Sequence, residues 1–536
     1  MATEHHDPVD VLVVGAGASG AAVAWATSGD TGLSVVCLER GRWPDPFLYP
    51  TTDPQWEIRR QHDFNPNPNV RRWREDYPID DVDTPIKPIL HNGVGGSTVM
   101  WSAHFPRFHP SDFRTKTLDG VADDWPITYE DLEPFYDMND EITGVAGIHG
   151  DPANPPRSPR QTPPVPLGKG GELLTAAFDR LGWHWWPSDV ATNTRPYGED
   201  NRGACNNCGG MELGCQQLAK ASTDITYWPK AVRNGVELRT EARVTEVTVD
   251  EDGRVSGARY WDRNGTEHFQ PARVVVLGCN AIGTARLLLA SRSERFPGGL
   301  ANTSGLVGRN LMHHPLVIVV GVFEELLEGW KGPSACTFMS QEFYETDPAR
   351  GYSRGYTLQA LRSHGPAITA LGGFGTTVAW GPDHHDRFDE VFGRTAALCV
   401  IAEDLPEEHN RVYVDFDRLV GDGMPTVVLE YTVGENSRRI LDDGAEKAKQ
   451  LLWEAGAVDL MINDLPSQSG FHLMGTARMG DDPATSVVNG WGETHDVENL
   501  FVVDGSVFVT SASVNPTSTI QAIALRAAGH IIERLR

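Results

Sequence analysis

The sequence has little of what would commit it to a membrane, to nucleic acid or to a disulfide framework. No apolar run reaches the roughly 18 residues that a transmembrane helix requires. The amino-terminal MATEHHDPVD has neither a basic nor an apolar stretch ahead of Val9, so no secretion signal is expected. Cysteine is sparse: seven in 536 residues, an odd number scattered along the chain, build no disulfide framework and point to a cytoplasmic, reducing setting. Cations are short as well. Lys and Arg number 46 against 73 Asp and Glu, a formal charge of −27, whereas phosphate polymers and anionic lipid require clustered positive charge. Nucleic acid and membrane are therefore not expected as partners, and an uncharged small molecule fits better. No His-Glu-x-x-His occurs, so a zinc hydrolase has no ligand helix.

What is present starts with a strand, a turn and a helix. Val9 to Val14 (VDVLVV) is an apolar, β-rich run that leads directly into Gly15-Ala16-Gly17-Ala18-Ser19-Gly20 and then Ala-rich helix-forming sequence. Each glycine has a mechanical role: Gly15 permits the turn, Gly17 lets backbone amides approach a pyrophosphate, and Gly20 lets the helix pack close to the strand. A second strand, Leu33 to Leu38, ends at Glu39, about 20 residues past the last glycine, where an acid suits a ribose diol and repels a 2′-phosphate. NADP is thereby disfavoured, and the choice between FAD and NAD stays open on this unit.

From Trp43 to about Lys87 the chain is rich in Pro, Asp, Asn, Arg and Trp without periodicity, which predicts an extended surface excursion. His91-Asn92-Gly93-Val94-Gly95-Gly96-Ser97-Thr98 is a second glycine-rich turn, either a tight loop or a ligand cradle. Helical patterns cover Tyr129 to Val145 and begin again at Gly168 to Leu181, followed by a cysteine segment, Cys205 to Cys215. Alternating runs from Gly235 predict a β-meander that closes on the apolar Val274 to Leu277 and the small-residue turn Gly278 to Thr284. Residues 316–465 mix strands such as Leu316 to Phe323 and Ala397 to Ala402 with one long helix near Ser437 to Glu454. Leu500 to Val503 is another buried strand, ending in Asp504-Gly505, and Pro516 begins a helix with Asn515 as its expected N-cap. Strands that leave and return in this way imply a discontinuous nucleotide-binding unit.

Two polar residues near the carboxyl end carry the chemistry. His472, in Gly470-Phe471-His472-Leu473-Met474-Gly475-Thr476, is a base that is neutral at pH 7, as removal of a hydroxyl proton requires. Asn515 offers an amide to hold the same hydroxyl. His313 and His314 read as structural residues or a wall of the site, and Asp383 to Asp386 as a solvated loop rather than a metal site.

Taken together, VVGAGASGAAVA with Glu39, GVGGSTVMW, VVVLGCNAIGTARLLLAS, GRNLMHHP, FHLMGTARMG and VVDGSVFVTSASVNPTSTIQAIALRAA resemble the glucose-methanol-choline (GMC) oxidoreductases, an FAD-dependent family acting on alcohols and sugars. The resemblance covers nearly the whole chain. It implies an α/β fold, α+β overall. The FAD-binding, Rossmann-like domain of the p-hydroxybenzoate-hydroxylase type comprises residues 1–45, 86–110, 225–315 and 466–536. A substrate-binding domain with surface excursions comprises 46–85, 111–224 and 316–465, built on an antiparallel sheet flanked by helices. It further implies that His472 and Asn515 lie near flavin N5, and that the helix starting at Pro516 directs its dipole at the flavin. The implied FAD contacts are Gly15, Gly17, Ala18, Ser19, Gly20, Glu39, Arg40, Gly95, Gly96, Ser97, Val244, Asp504, Gly505, Asn515, Pro516 and Thr517. Some relatives attach FAD through a histidine in the 91–104 region; here Met100 and Trp101 occupy its heart, with His104 close by, and non-covalent FAD is expected.

Within the family, VGGSTVMWSAHFPRF and the cysteine-AKAST segment are most similar to bacterial glycoside 3-oxidases and pyranose oxidase-like members. Many relatives carry CxxCGxCxxGC where this chain has Cys205, Cys208, Met211 and Cys215; a thioether at the third position favours a metal-free structural loop. The expected reaction is oxidation of a secondary hydroxyl of a sugar or glycoside at C3, with electrons passing to O2 or a quinone-type acceptor. The rivals are a dehydrogenase of another polyol or alcohol and a non-catalytic flavin or electron-relay protein.

Overall fold

A computed structural model describes residues 3–333, 336–362, 364–373, 378–421 and 423–536. Four apolar segments from distant parts of the chain form its central parallel sheet. Val35–Leu38, Val9–Val14, Glu267–Leu277 and Leu500–Val502 lie side by side in that order, with Glu237–Arg239 on the outer edge of Val35–Leu38. Both faces are covered, which is why these strands read as continuous apolar runs rather than alternating ones. Val11, Val13, Cys37, Val274 and Val276 face the helices Ala18–Thr27 and Thr517–Leu535. Leu12, Val14, Val36, Leu38, Val275 and Leu277 face the opposite way, towards the helix Asn280–Ala290. Each buried Val or Leu contributes roughly 1.5–3 kcal/mol.

The register levels the carboxyl ends of the strands. Val14 pairs with Leu38 and Leu277, and Val502 with Leu277, so Gly15, Glu39, Gly278 and Asp504 emerge at one edge, where open α/β sheets bind ligands. The expected meander is present as Arg243–Val249, Val255–Trp261 and the first half of Glu267–Leu277, all antiparallel.

The second sheet is antiparallel and six-stranded, ordered Asp459–Asp464, Leu316–Val322, Thr395–Ala402, Tyr356–Leu361, Phe338–Ser340 and Trp186–Pro187. One face, with Val317, Val319, Leu398, Val400 and Leu358, packs on Ile440, Leu441, Ala448, Leu451 and Leu452 of the helix Glu435–Glu454. Period-2 alternation leaves Leu316, Ile318, Val320, Ala397, Cys399 and Ile401 on the other face. That face looks into the cavity described below.

Two local expectations change. The Trp43 to Lys87 stretch is not merely a surface excursion: it folds into the short helices Trp56–Gln61 and Pro68–Arg71, and Arg71 is buried in an ion pair with Asp76 at 2.5 Å. The paired charge lets a polar segment pack inward, and Arg60, Gln61, Asn65 and Val70 line the cavity. Asp383 to Asp386 is solvated at Asp383, His385 and Asp386 as expected, but it is not a loop. It opens the helix His384–Val391, and His384 is buried, stacked on Trp380 with ring centroids 4.5 Å apart. Among the described residues no helix is long and apolar enough to cross a membrane.

Candidate active site

A cavity of about 770 Å³ runs from the carboxyl edge of the parallel sheet to the open face of the six-stranded sheet. At its first end the two glycine turns are pressed back to back. A Cβ on Gly96, whose φ is +52°, would stand 2.7 Å from the Cα of Gly17, so the close approach of the turns requires glycine. Gly15, Gly17, Ala18, Ser19, Glu39, Arg40, Gly96, Ser97 and Val244 line this end, and Asp504, Gly505, Asn515, Pro516 and Thr517 line the cavity with His472. Gly20 and Gly95 are absent from the wall. Gly20 sits against the Gly15 carbonyl, and Gly95 against Val99 and Asp224, so both act from behind.

The wall suits FAD on several counts. The helix Ala18–Thr27 has no side-chain cap and no acid in its first turn, leaving its amino-terminal N–H groups and dipole available to a pyrophosphate. Glu39 is buried, and its carboxylate is fixed by N–H donors from Ala16 at 2.8 Å and Gly41 at 2.7 Å. Burial raises its pKa above the ordinary value. A polar atom in the same wall, Trp101 Nε1, is buried without a partner in the protein, which is costly unless a ligand supplies one.

Further along, His472 meets His314. Their Nδ1 atoms are 2.7 Å apart, and His314 Nε2 lies 2.9 Å from the Ala512 carbonyl and 3.1 Å from that of Ser511. Carbonyls only accept, so His314 carries its proton on Nε2. Burial pushes its pKa down to about 4, leaving the ring neutral with a lone pair on Nδ1. His472 must then donate from Nδ1, and its Nε2 is the unprotonated nitrogen. Ala512, held at a positive φ of 56°, aims the carbonyl that starts this relay. Burial first, then the imidazoles of His314, His104 and His313, hold the His472 pKa well below the ordinary histidine value.

Asn515 differs from its expected role as a cap. The helix is Thr517–Leu535 with Pro516 at the N-cap position and no side-chain cap hydrogen bond. The Asn515 amide turns inward instead, with Nδ2 3.4 Å from His472 Nε2 and Oδ1 accepting from Gln359 Nε2 at 2.8 Å. A polar partner inside the cavity outcompetes the first-turn amides.

The cysteine segment also acquires a position. All seven cysteines are free thiols, and no group of three metal-ligating side chains occurs among the described residues. Met211 packs with Ala103, Phe105, Val145 and Val190, an environment that favours a thioether over a thiolate. Its carbonyl accepts from buried Lys220 Nζ at 2.5 Å, and the same ammonium binds the Val99 and Trp101 carbonyls, tying the segment to the second glycine turn. Glu212 from this segment lines the cavity, paired with Arg60 at 2.6 Å.

Sequence reasoning missed His314 as a partner of His472, and Gln359 and Glu212 altogether. The His313-His314 pair was a visible signal; Gln359 sits in an apolar strand, and nothing local marks it. Gly351-Tyr352-Ser353-Arg354-Gly355 has the spacing of a hydrolase nucleophile elbow, but it leads into the strand Tyr356–Leu361 instead of leaving one for a helix, so it supports no hydrolase.

Comparison with known proteins shows the family. Two family models described as GMC oxidoreductase match residues 189–316 and 406–524. The chain is 42% identical to 2-methyl-1,2-propanediol dehydrogenase of Mycolicibacterium austroafricanum, over 99% of this chain and 96% of that protein. It is 32% identical to paromamine 6'-oxidase of Streptomyces fradiae, over 97% and 90% of the two chains. The formate oxidase of Aspergillus oryzae RIB40 shares the fold, with a TM-score of 0.67 at 16% identity over 99% of this chain and 98% of that one. The chain belongs to the GMC oxidoreductase family and is an FAD-binding enzyme acting on alcohol or sugar hydroxyls.

Proposed function

We propose that this enzyme oxidises one hydroxyl of a small polyol or branched alcohol, with His472 as the base and Asn515 positioning the reacting oxygen. The observation that carries this reading is the lone pair on His472 Nε2, fixed by His314 and exposed to the cavity beside the Asn515 amide. FAD, when bound, supplies the acceptor for two electrons and the carbon-bound hydrogen. His472 Nε2 takes the hydroxyl proton, and the Nδ1–H bond to His314 orients the ring and supports the positive charge that follows. The Asn515 Nδ2–H group steadies the oxygen as it becomes alkoxide-like. Nearby, Leu316, Ile318, Val320, Ala397 and Ile401 present hydrocarbon, a surface suited to methyl or methylene groups rather than a ring covered with hydroxyls. The dehydrogenase relative, named for a branched diol, favours the same substrate class and an acceptor other than O2.

A second reading, oxidation of a sugar or glycoside hydroxyl with O2 as acceptor, is favoured by the polar groups Glu212, Arg60 and His364 elsewhere in the cavity wall and by the relative named as paromamine 6'-oxidase. Anaerobic bleaching of the yellow enzyme by a panel of diols, polyols, sugars and glycosides separates the two. The expected result is fastest bleaching by short branched diols, with dye reduction far exceeding peroxide formation; fastest bleaching by glycosides, with stoichiometric peroxide, sinks the first reading. Non-covalent attachment of FAD is favoured because both His104 ring nitrogens are engaged, Nδ1 with Gln359 and Nε2 with the Cys336 amide.

The pH dependence of flavin reduction follows from the direction of the His472 shift. Only the neutral base accepts a proton, and its pKa lies below the ordinary histidine value of about 6.5. The reduction rate at limiting substrate is therefore expected to be flat from pH 7 upward, with its acid limb centred below 6.5. Stopped-flow measurement finding that limb centred above 7 refutes the assignment.

A further inference from the structure

We propose that Gln359, itself held by His104, sets the Asn515 amide with its nitrogen towards His472, so that Gln359 and His104 are positioning residues for alcohol oxidation. The inference rests on the reading of His472 as the base. It begins at a backbone group that cannot be reversed. The Cys336 N–H donates to His104 Nε2 at 2.9 Å, so that nitrogen holds a lone pair, and the ring, buried and with its pKa pushed down to about 4, carries its proton on Nδ1. His104 Nδ1 lies 2.8 Å from Gln359 Oε1, so the Gln359 oxygen accepts and its nitrogen faces the other way. Gln359 Nε2 donates to Asn515 Oδ1 at 2.8 Å, which leaves Asn515 Nδ2 facing His472.

The opposite arm starts from another backbone group, the Ala512 carbonyl, and leaves His472 Nε2 as an acceptor. The two arms meet at the 3.4 Å contact between Asn515 Nδ2 and His472 Nε2, donor against acceptor. Reversing Asn515 alone would oppose two N–H groups at Gln359. Reversing Gln359 as well would oppose its N–H groups to His104 Nδ1–H, and switching the His104 tautomer would point Nε2–H at the Cys336 N–H. Each reversal moves the mismatch without removing it, and a buried mismatch carries the cost of an unmade hydrogen bond. Only one direction satisfies every donor and acceptor between the two anchors. It presents the alcohol with an amide donor, which favours the alkoxide-like transition state; a carbonyl at the same place would oppose it.

Neutron diffraction from deuterium-exchanged holoenzyme reads the arrangement directly. The expected map has deuterons on Asn515 Nδ2 directed at His472, on His104 Nδ1 and on His472 Nδ1, with none on His472 Nε2. Asn515 Oδ1 facing His472 overturns the proposal. This measurement needs no variant and stands even if a variant misfolds. Kinetically, Gln359→Met keeps the shape and leaves the amide free to rotate, whereas Gln359→Glu offers only acceptors and pulls Asn515 Nδ2 away from the base. Flavin reduction is expected to slow about tenfold for Met and about a hundredfold for Glu, with little change in substrate Kd. A side chain that merely filled space would leave both variants near wild type. If His472→Ala is slow but Met and Glu behave alike, the orientation inference fails by itself; if His472→Ala reduces FAD as fast as wild type, the base reading fails and removes its catalytic meaning.

Discussion

Replacing His472 with alanine is expected to slow anaerobic reduction of bound FAD by about 10² to 10⁴-fold while leaving FAD content unchanged. The size of the effect follows from the role proposed for the ring. An alcohol does not release its proton to water at a useful rate at neutral pH, and the cavity places one unprotonated nitrogen, His472 Nε2, beside the Asn515 amide. The Asn515 amide and the Gln359 behind it remain in the variant, so positioning of the substrate is largely kept and the loss falls on proton transfer. Substrate Kd is thus expected to change far less than the reduction rate. His314 loses its partner at 2.7 Å but keeps its bonds to the Ala512 and Ser511 carbonyls, so the fold around the site is expected to persist. Stopped-flow absorbance of the flavin is the deciding measurement. A variant that bleaches at the wild-type rate shows that another group takes the proton.

Gly20→Ala is expected to weaken FAD binding by one to two orders of magnitude although Gly20 itself is absent from the cavity wall. A Cβ at this position would stand 1.9 Å from the Gly15 carbonyl oxygen and 3.2 Å from Val13 Cγ1. Nothing there can yield cheaply, because the first of these atoms is backbone in the turn itself. The helix Ala18–Thr27 must move off the strand, and overpacking of this kind costs about 1–3 kcal/mol or more. The displacement falls on the helix N-terminus, whose amides line the cavity at Gly17, Ala18 and Ser19. At about 1.4 kcal/mol per factor of ten, the loss appears as FAD shed on desalting and as a raised Kd for FAD added back to apoprotein. Gly29→Ala is the matching control, since no heavy atom lies within 4 Å of a Cβ placed there; it is expected to retain FAD. Stoichiometric FAD in Gly20→Ala refutes the packing argument.

Parts of this site were legible because their chemistry is local in the chain. Strand, glycine turn, helix and Glu39 fall within 40 residues, so their spacing alone predicts a dinucleotide cradle, and the four glycine-rich or acidic positions at the strand ends line one cavity. His472 and Asn515 stand in recognisable segments and the structure brings their side chains within 3.4 Å. The cap assigned to Asn515 was misread because capping preferences describe a helix end in water. They do not register a competing partner that arrives from a strand of the six-stranded sheet. Trp43 to Lys87 was misread for a related reason: polar composition predicts exposure unless the charges are paired, and Arg71 with Asp76 is such a pair.

The sequence by itself determined the mixed α/β architecture and pointed to a cofactor cradle and to the base and amide proposed near the carboxyl end, since backbone propensity, period-2 alternation and glycine spacing act over a few residues. Only the tertiary structure decided which nitrogen of His472 is free and which way Asn515 points. Those depend on His314, 158 residues from His472, and on Gln359, 156 residues from Asn515. Hydrogen-bond direction is fixed by the groups at the far ends of such a relay, a carbonyl at Ala512 and an amide at Cys336, and no local pattern in the chain encodes how those two backbone groups come to face one cavity.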